Sequence, residues 1–293
     1  MLLAKIQKNN EKSKICLLFH FEITFLLKKT MENEKRFILG LDVSTKCIGT
    51  TILEDDGKGL PKIIAITHKA PKIPKGIDGL EALFLRKKYF QEGFLENIGE
   101  YIGENKITDV VIEEPLLSSN NRYTIATLLR FNGMIAEAVY STLGIIPQFI
   151  SSYDARIYSF PELVSVRKYN KKGEEYSLEH IKKAIKNNNM VLFGSYPFDI
   201  DKKTVMLNMV NSIYVDDNCV PWEVSKTGEL RKENYDACDS LVCALAHSNI
   251  LRYGLDLPKI IDSDISEKDN EIQIRYTTSI WDKKINKVLI LSK

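Results

Sequence analysis

Histidine, tryptophan and cysteine are scarce in this chain of 293 residues, at four, two and five copies. The cysteines (Cys16, Cys47, Cys219, Cys238 and Cys243) are odd in number and form no C-x-x-C pair. That argues against a zinc site and against a disulfide framework, and points to a reducing, cytoplasmic setting. Glycine is limited to 15 copies, so a duplicated set of glycine-rich phosphate loops has no room here. Long apolar runs are missing as well. The most apolar stretch, residues 15–27, is interrupted by His20 and Glu22 and is only about two-thirds of the ~20 residues that span a bilayer. No membrane segment is expected, and Met31 reads as the natural start. A dominant charge is also lacking: the net value of +2 neither announces nor excludes a nucleic acid, for which a local basic face is what counts.

What remains is an ordinary globular composition, 44% hydrophobic and 27% charged, long enough to bury a real core. Residues 1–35 read as an extension or arm and residues 36–254 as one domain. Within it, residues 37–43, 47–54 and about 62–68 are three short β-branched, apolar runs separated by turn residues, which predicts antiparallel neighbours joined by hairpins. Leu80, Leu83, Phe84, Phe90, Phe94, Leu95, Ile98 and Ile102 then follow at helical spacing, with Gly93 and Gly99 weakening the continuity. A fourth strand, residues 109–114, ends at Pro115, because the residue before proline is pushed toward extended geometry. Ile125, Leu128, Leu129, Ala136, Val139 and Leu143 mark a second amphipathic helix, and residues 146–151 a fifth strand. The expected fold is therefore α/β, a mixed five-stranded sheet of three antiparallel strands and then two parallel ones, flanked by helices. A charged, irregular stretch at about 161–200 reads as an insertion. A helix follows over residues 201–214, with Asp199 or Asp201 as its cap, and a last core helix over residues 233–252. Residues 255–293 read as a polar, acidic linker (262–271) and a possible terminal hairpin.

Four carboxylates stand out in this arrangement. Asp42 ends the first strand and Glu113 the fourth, at the same edge of the sheet. Glu114 is the alternative to Glu113, since adjacent strand residues point to opposite faces. Asp236 and Asp239, three apart, share one face near the start of the last helix. Each alone is unremarkable, an acidic first turn being a common stabilising device. Together they form a group that cannot stay ionised without cations, because unit charges ~4 Å apart repel by about 4 kcal/mol at an effective dielectric of 20. Hard oxygen ligands with no His or Cys partner select Mg²⁺ or Mn²⁺, and a pair of such ions hydrolyses phosphodiesters.

Three segments carry a family resemblance: Ile38-Leu39-Gly40-Leu41-Asp42-Val43-Ser44-Thr45, Val110-Val111-Ile112-Glu113-Glu114-Pro115, and Tyr235-Asp236-Ala237-Cys238-Asp239-Ser240-Leu241-Val242-Cys243-Ala244. They resemble the acidic motifs of RuvC-type Holliday-junction resolvases of the RNase H-like superfamily, in the manner of divergent phage-type members. The resemblance implies a nuclease of branched DNA, working in recombination or repair with two Mg²⁺ or Mn²⁺ ions per site, in the host cytoplasm if phage-encoded. It also implies Asp42, Glu113, Asp236 and Asp239 as catalytic metal ligands, and a basic residue near the scissile phosphate, for which Lys203 or its neighbour Lys202 stands in the right segment. A four-way junction offers two equivalent strands, so a twofold homodimer is the expected state.

Arg122, Tyr123, Arg130 and Phe131, just after the Glu113 strand, are expected near the same edge as DNA contacts. Arg167, Lys168, Lys171 and Lys172 in the insertion are candidates to grip phosphate. His247, two turns after Asp239, reads as a packing or capping residue rather than a catalytic one, and Cys238 and Cys243 as core thiols. Two other classes compete. The Asp42 segment also resembles the first phosphate loop of sugar kinases and actin-like ATPases, which would make the chain an ATP-dependent phosphotransferase; no second such loop follows. A catalytically dead nucleic-acid-binding module is disfavoured by the presence of all four carboxylates. A flap nuclease or an RNase H cutting RNA/DNA hybrids would share the metal site.

Overall fold

The computed structural model describes residues 35–115, 121–215, 220–268 and 271–292. The expected N-terminal arm lies outside them. Strands β1 (Arg36–Val43), β2 (Ile48–Asp55) and β3 (Lys62–Lys69) are antiparallel, and β4 (Asp109–Glu113) and β5 (Gln148–Ile150) run parallel to β1. The order β3-β2-β1-β4-β5 is the mixed sheet of an RNase H-like fold, and each strand falls within a residue or two of its expected place.

Alternation along β1 divides the core. Leu39 and Leu41 point to one face, where they meet α1 (Gly79–Phe90), a π turn at Gln91–Leu95, the single turn α2 (Gly99–Ile102) and α3 (Arg122–Leu143). Gly93 and Gly99 do mark breaks: the expected long helix is these three pieces. Leu80 and Phe84, predicted to face inward, are exposed, while Leu83 and Phe90 carry the packing. The other face holds α4 (Ser152–Ser159), α6 (Lys202–Ile213) and α7 (Glu233–Tyr253). Asp201 caps α6, accepting from the backbone N–H groups of Lys203 (3.1 Å) and Thr204 (3.4 Å).

Helix α7 is buried on nearly every side. It lies so close to the sheet that a Cβ on Gly40 would collide with the Ser240 carbonyl oxygen, and one on Gly49 with that of Asp236. Between these contacts, the hydroxyls of Thr51 and Ser240 share a buried hydrogen bond of 2.8 Å. The far end of α7 is clamped by Asp55, which accepts from the Arg252 guanidinium and from Ser248 Oγ at 2.6 Å.

The stretch expected as an insertion and the chain's end pack into one unit. Strands β6 (Val164–Val166) and β7 (Met190–Leu192) pair antiparallel, with α5 (Leu178–Lys186) between them. They pack on a three-stranded antiparallel sheet of β8 (Lys259–Lys268), β9 (Glu271–Ile280) and β10 (Lys283–Ser292), through Val166, Ile181, Ile185, Ile274, Tyr276 and Leu289. The stretch expected to be an acidic linker is thus mostly strand β8, joined to the expected hairpin. Its Ile260 and Ile265 stand opposite Thr278 and Ile274, so the acids on alternate positions mark a solvated face, not an unstructured segment. No helix among the described residues is long and apolar enough to cross a membrane.

Burial alone would push the Asp55 carboxyl up; the bonds from Arg252, Ser248 and the Gly57 amide outweigh it and hold its pKa below the usual value. Its contribution is present above the unfolded value near 3.8 and is lost as pH falls through the lower folded value. Arg252→Leu strands a buried carboxylate and should cost about 3–5 kcal/mol in urea unfolding at pH 7, a deficit that shrinks below about pH 4.

Candidate active site

In the parallel ladder Leu41 stands beside Ile112, so the next residue of each strand, Asp42 and Glu113, leaves the same edge on the face that α7 covers. Asp239, in the second turn of α7, reaches down to them. One oxygen from each of the three carboxylates lies within 4.8 Å of the other two. Asp239 is 8% exposed, and Asp42 and Glu113 are half-buried. Glu114 is exposed and points away, while its amide extends the sheet by donating to the Ile150 carbonyl at 2.8 Å. Asp236, one turn earlier, stands outside the tight group against the Cys47 thiol, yet near enough for its charge to act on all three.

The electrostatics follow from burial and crowding. Asp42 is raised well above the ordinary carboxylate value, first by burial and then by Glu113, Asp239 and Asp236. Glu113 is pushed up to about 7 by burial and Asp239, against the pull of Arg156 and Lys203. Asp239 is raised by burial despite the same two cations. Lys203 comes from the first turn of α6, its ammonium 5.6 Å from the centroid of the Tyr235 ring. Lys203 is exposed and close enough for its charge to act on Glu113 and Asp239, and Lys202 is exposed beside it.

Arg156 is the residue that the sequence reading missed. It projects from α4, with Nη2 3.4 Å from Asp239 Oδ1, and both side chains are largely buried. A signal existed: Ser151 and Asp154 form a helix-start pair directly after β5, with Ser151 Oγ accepting from the Asp154 amide at 3.1 Å. A helix opening there has to begin at the carboxylate edge.

The other expected contacts divide. Arg122, Tyr123 and Arg130 are exposed on α3, and Arg167, Lys171 and Lys172 are exposed in the insertion. Phe131 is corrected: it is 1% exposed and packs in the core with Ile135 and Val139, since the helical period turns that position toward the sheet and away from any base. Lys168 is tied up within the insertion by Glu175 at 3.0 Å and the Tyr169 ring. His247 is buried against Asp109, 3.4 Å away at the opposite end of β4, as a packing residue. Cys238 and Cys243 are buried free thiols.

An all-oxygen, crowded and partly buried donor set fits a hard divalent cation, for which Asp42, Glu113 and Asp239 would be the ligands. Comparison with known proteins adds little to this chemistry. No family model matches the chain. No curated protein matches it. Solved structures similar to it include Thermus thermophilus RuvC in complex with a Holliday junction (12% identity, TM-score 0.43, covering 74% of this chain and 95% of that one). The yeast mitochondrial Holliday junction resolvase is another (13%, TM-score 0.37, 75% and 80%). An Aquifex aeolicus member of the Ppx/GppA family is a third (10%, TM-score 0.30, 88% and 52%). Likenesses at these identities and scores say nothing of what this chain acts on.

Raised carboxyls stabilise the metal-free fold below their unfolded values near 4, and that stability is lost as pH rises through the folded ones. Asp42→Asn should therefore melt higher than the unmutated protein in EDTA, by more at pH 8 than at pH 5, at roughly 2–4 °C per kcal/mol relieved. Metal binding needs the ionised forms, so Mn²⁺ affinity by calorimetry should rise between pH 6 and 8, with protons released to the buffer.

Proposed function

We propose that the protein is a metal-dependent, structure-selective endodeoxyribonuclease that nicks branched DNA such as a Holliday junction. The observation that carries this reading is the convergence of Asp42, Glu113 and Asp239 from β1, β4 and α7 on one edge, with the buried Arg156 and the exposed Lys203 beside them. Two divalent ions held there would supply an activated water on one side of a phosphodiester and charge stabilisation of the leaving oxygen on the other. The chain's own part is to position the ligands, which bound cations would keep ionised at neutral pH against their raised pKa values, and to orient the phosphate. Asp236 lends charge at the rim of the group. Lys203, solvent-accessible and within electrostatic reach of the carboxylates, is suited to a non-bridging phosphate oxygen. Arg122, Tyr123, Arg130, Arg167, Lys171, Lys172 and Lys202 offer exposed contacts to the arms. The spacing of Asp236 and Asp239, as in the RuvC-type motif, favours a junction over a flap or an RNA/DNA hybrid, and the twofold symmetry of a junction favours a homodimer.

The phosphotransferase reading asks for a second domain on the same kind of sheet. Among the described residues there is one five-stranded sheet, and the other two sheets are small and antiparallel.

Incubation with a labelled four-way junction, a flap, a linear duplex and an RNA/DNA hybrid should give Mg²⁺-dependent nicks, fastest in the junction. Asp42→Asn and Asp239→Asn should each slow nicking by roughly 10²–10³-fold. Variants that cut as well as the unmutated chain would sink the assignment of the site.

A further inference from the structure

Strand β3 runs parallel to β1, so its C-terminal end opens on the same edge as Asp42. The ladder places Gly49 opposite Asp42 and His68 opposite Gly49, two strand spacings or about 10 Å from the carboxylates. Beyond β3 the chain reads Lys69-Ala70-Pro71-Lys72-Ile73-Pro74-Lys75, with no acidic residue from 62 to 75. Ala70 and Ile73 each precede a proline and are biased to extended geometry. Lys69 closes β3, Lys72 stands between the two prolines and Lys75 begins a turn, and at ~3.1 Å per residue of extended chain Lys69 and Lys72 are about 9 Å apart.

A groove of about 480 Å³ follows this segment, lined by His68, Lys69, Pro71 and Lys72 on one wall and by Tyr89 of α1 and Gly93 on the other. Tyr89 is 38% exposed. Lys69 lies over the Phe94 ring, its ammonium 5.6 Å from the centroid, which restrains that charge at the groove wall. The nearby carboxylates are already occupied: Glu223 pairs with His68 (3.4 Å) and Arg231 (2.8 Å), and Glu92 with Lys88 (3.7 Å). Among the described residues no carboxylate pairs with Lys69, Lys72 or Lys75.

We infer that this groove is a second DNA subsite, which holds the phosphate backbone of a duplex arm as it leaves the cleavage site on the β3 side. The inference rests on the nuclease reading and adds to it a direction for the arm. The occupant follows from charge complementarity and from position. An arm that starts at the carboxylates on the α7 face crosses the sheet's C-terminal edge to reach Lys69 and Lys72 on the α1 face; at a separation of roughly 10–20 Å it meets them about three to six base pairs from the cut at 3.4 Å per step. Lys69 and Lys72 bind phosphate, and Tyr89 lies against the backbone between them.

The experiment measures binding of a four-way junction in Ca²⁺ as a function of salt, together with Mg²⁺-dependent nicking on the same preparations. Lys69→Gln/Lys72→Gln should make the slope of log K against log salt shallower by about 2, and Lys72→Gln alone by about 1, with melting temperatures unchanged. Neutral methylphosphonates placed three to six base pairs from the cut should weaken binding to the unmutated protein and leave the double variant unaffected. If the unmutated protein nicks junctions while the variants keep its slope and its methylphosphonate response, the groove is overturned and the nuclease reading stands. If the slopes change as expected but no substrate is ever cut, the groove stands as a DNA site and the nuclease reading falls.

Discussion

The close seating of α7 on β1 and β2 is the constraint on which the site depends. Two carboxylates come from strand ends and are set by sheet register, which tolerates little variation. The third comes from a helix, and its reach is set by how near that helix lies. Gly40 and Gly49 remove the two side chains that would hold it off, and small residues such as Ala237, Ser240 and Ala244 meet them. A side chain at either glycine would lift Asp239 by an amount comparable to the ~1 Å at which positioned chemistry loses most of its rate. The far end of the same helix is anchored by Asp55 and Arg252, so α7 is held at both ends and cannot tilt to compensate.

Crowding carboxylates costs energy, and the fold offsets it only in part. Arg156 and Lys203 supply two positive charges against Asp42, Glu113, Asp239 and the nearby Asp236, which leaves the site negative when all are ionised. The Arg156–Asp239 contact, at 3.4 Å, is long for a charge-assisted hydrogen bond. It lowers the repulsion while leaving Asp239 oxygen available to a metal. A fully neutralised group would have no need of a cation, and an unrelieved one would strain the metal-free fold.

The residues legible in the sequence were those whose position follows from local pattern. Asp42 and Glu113 end apolar runs, and Asp239 follows from helical spacing, so three motifs in order were enough to find them. Asp236 was equally visible but stands off the tight group, because one helical turn separates residues three apart by several ångströms along the axis. Arg156 was hidden because a lone arginine in a short helix has no pattern of its own; only the packing of α4 on α7 brings it to Asp239. Phe131 failed for the opposite reason: nearness to the site in sequence says nothing of which side of a helix a residue takes. The acidic strand β8 was obscured by its charges, since a strand solvated on one face resembles a linker when only composition is weighed.

The insertion and the chain's end explain how so short a helix as α4 can aim Arg156. Tyr158, two residues on, donates to the Leu255 carbonyl (3.2 Å) and packs against Trp281, with ring centroids 6.2 Å apart. Trp281 sits at the turn between β9 and β10 and also meets Tyr253, the last residue of α7, at 5.0 Å. Ser159 Oγ donates to the Val242 carbonyl (2.8 Å), and Asn249 Nδ2 to that of Tyr158 (2.7 Å). The C-terminal sheet thus closes over the junction of the two helices that carry Arg156 and Asp239. It shares a core with β6 and α5 of the insertion, and the Val166 amide donates to Tyr276 Oη at 3.1 Å. Two segments nearly a hundred residues apart in sequence therefore brace one salt bridge, and through it the charge balance of the carboxylates.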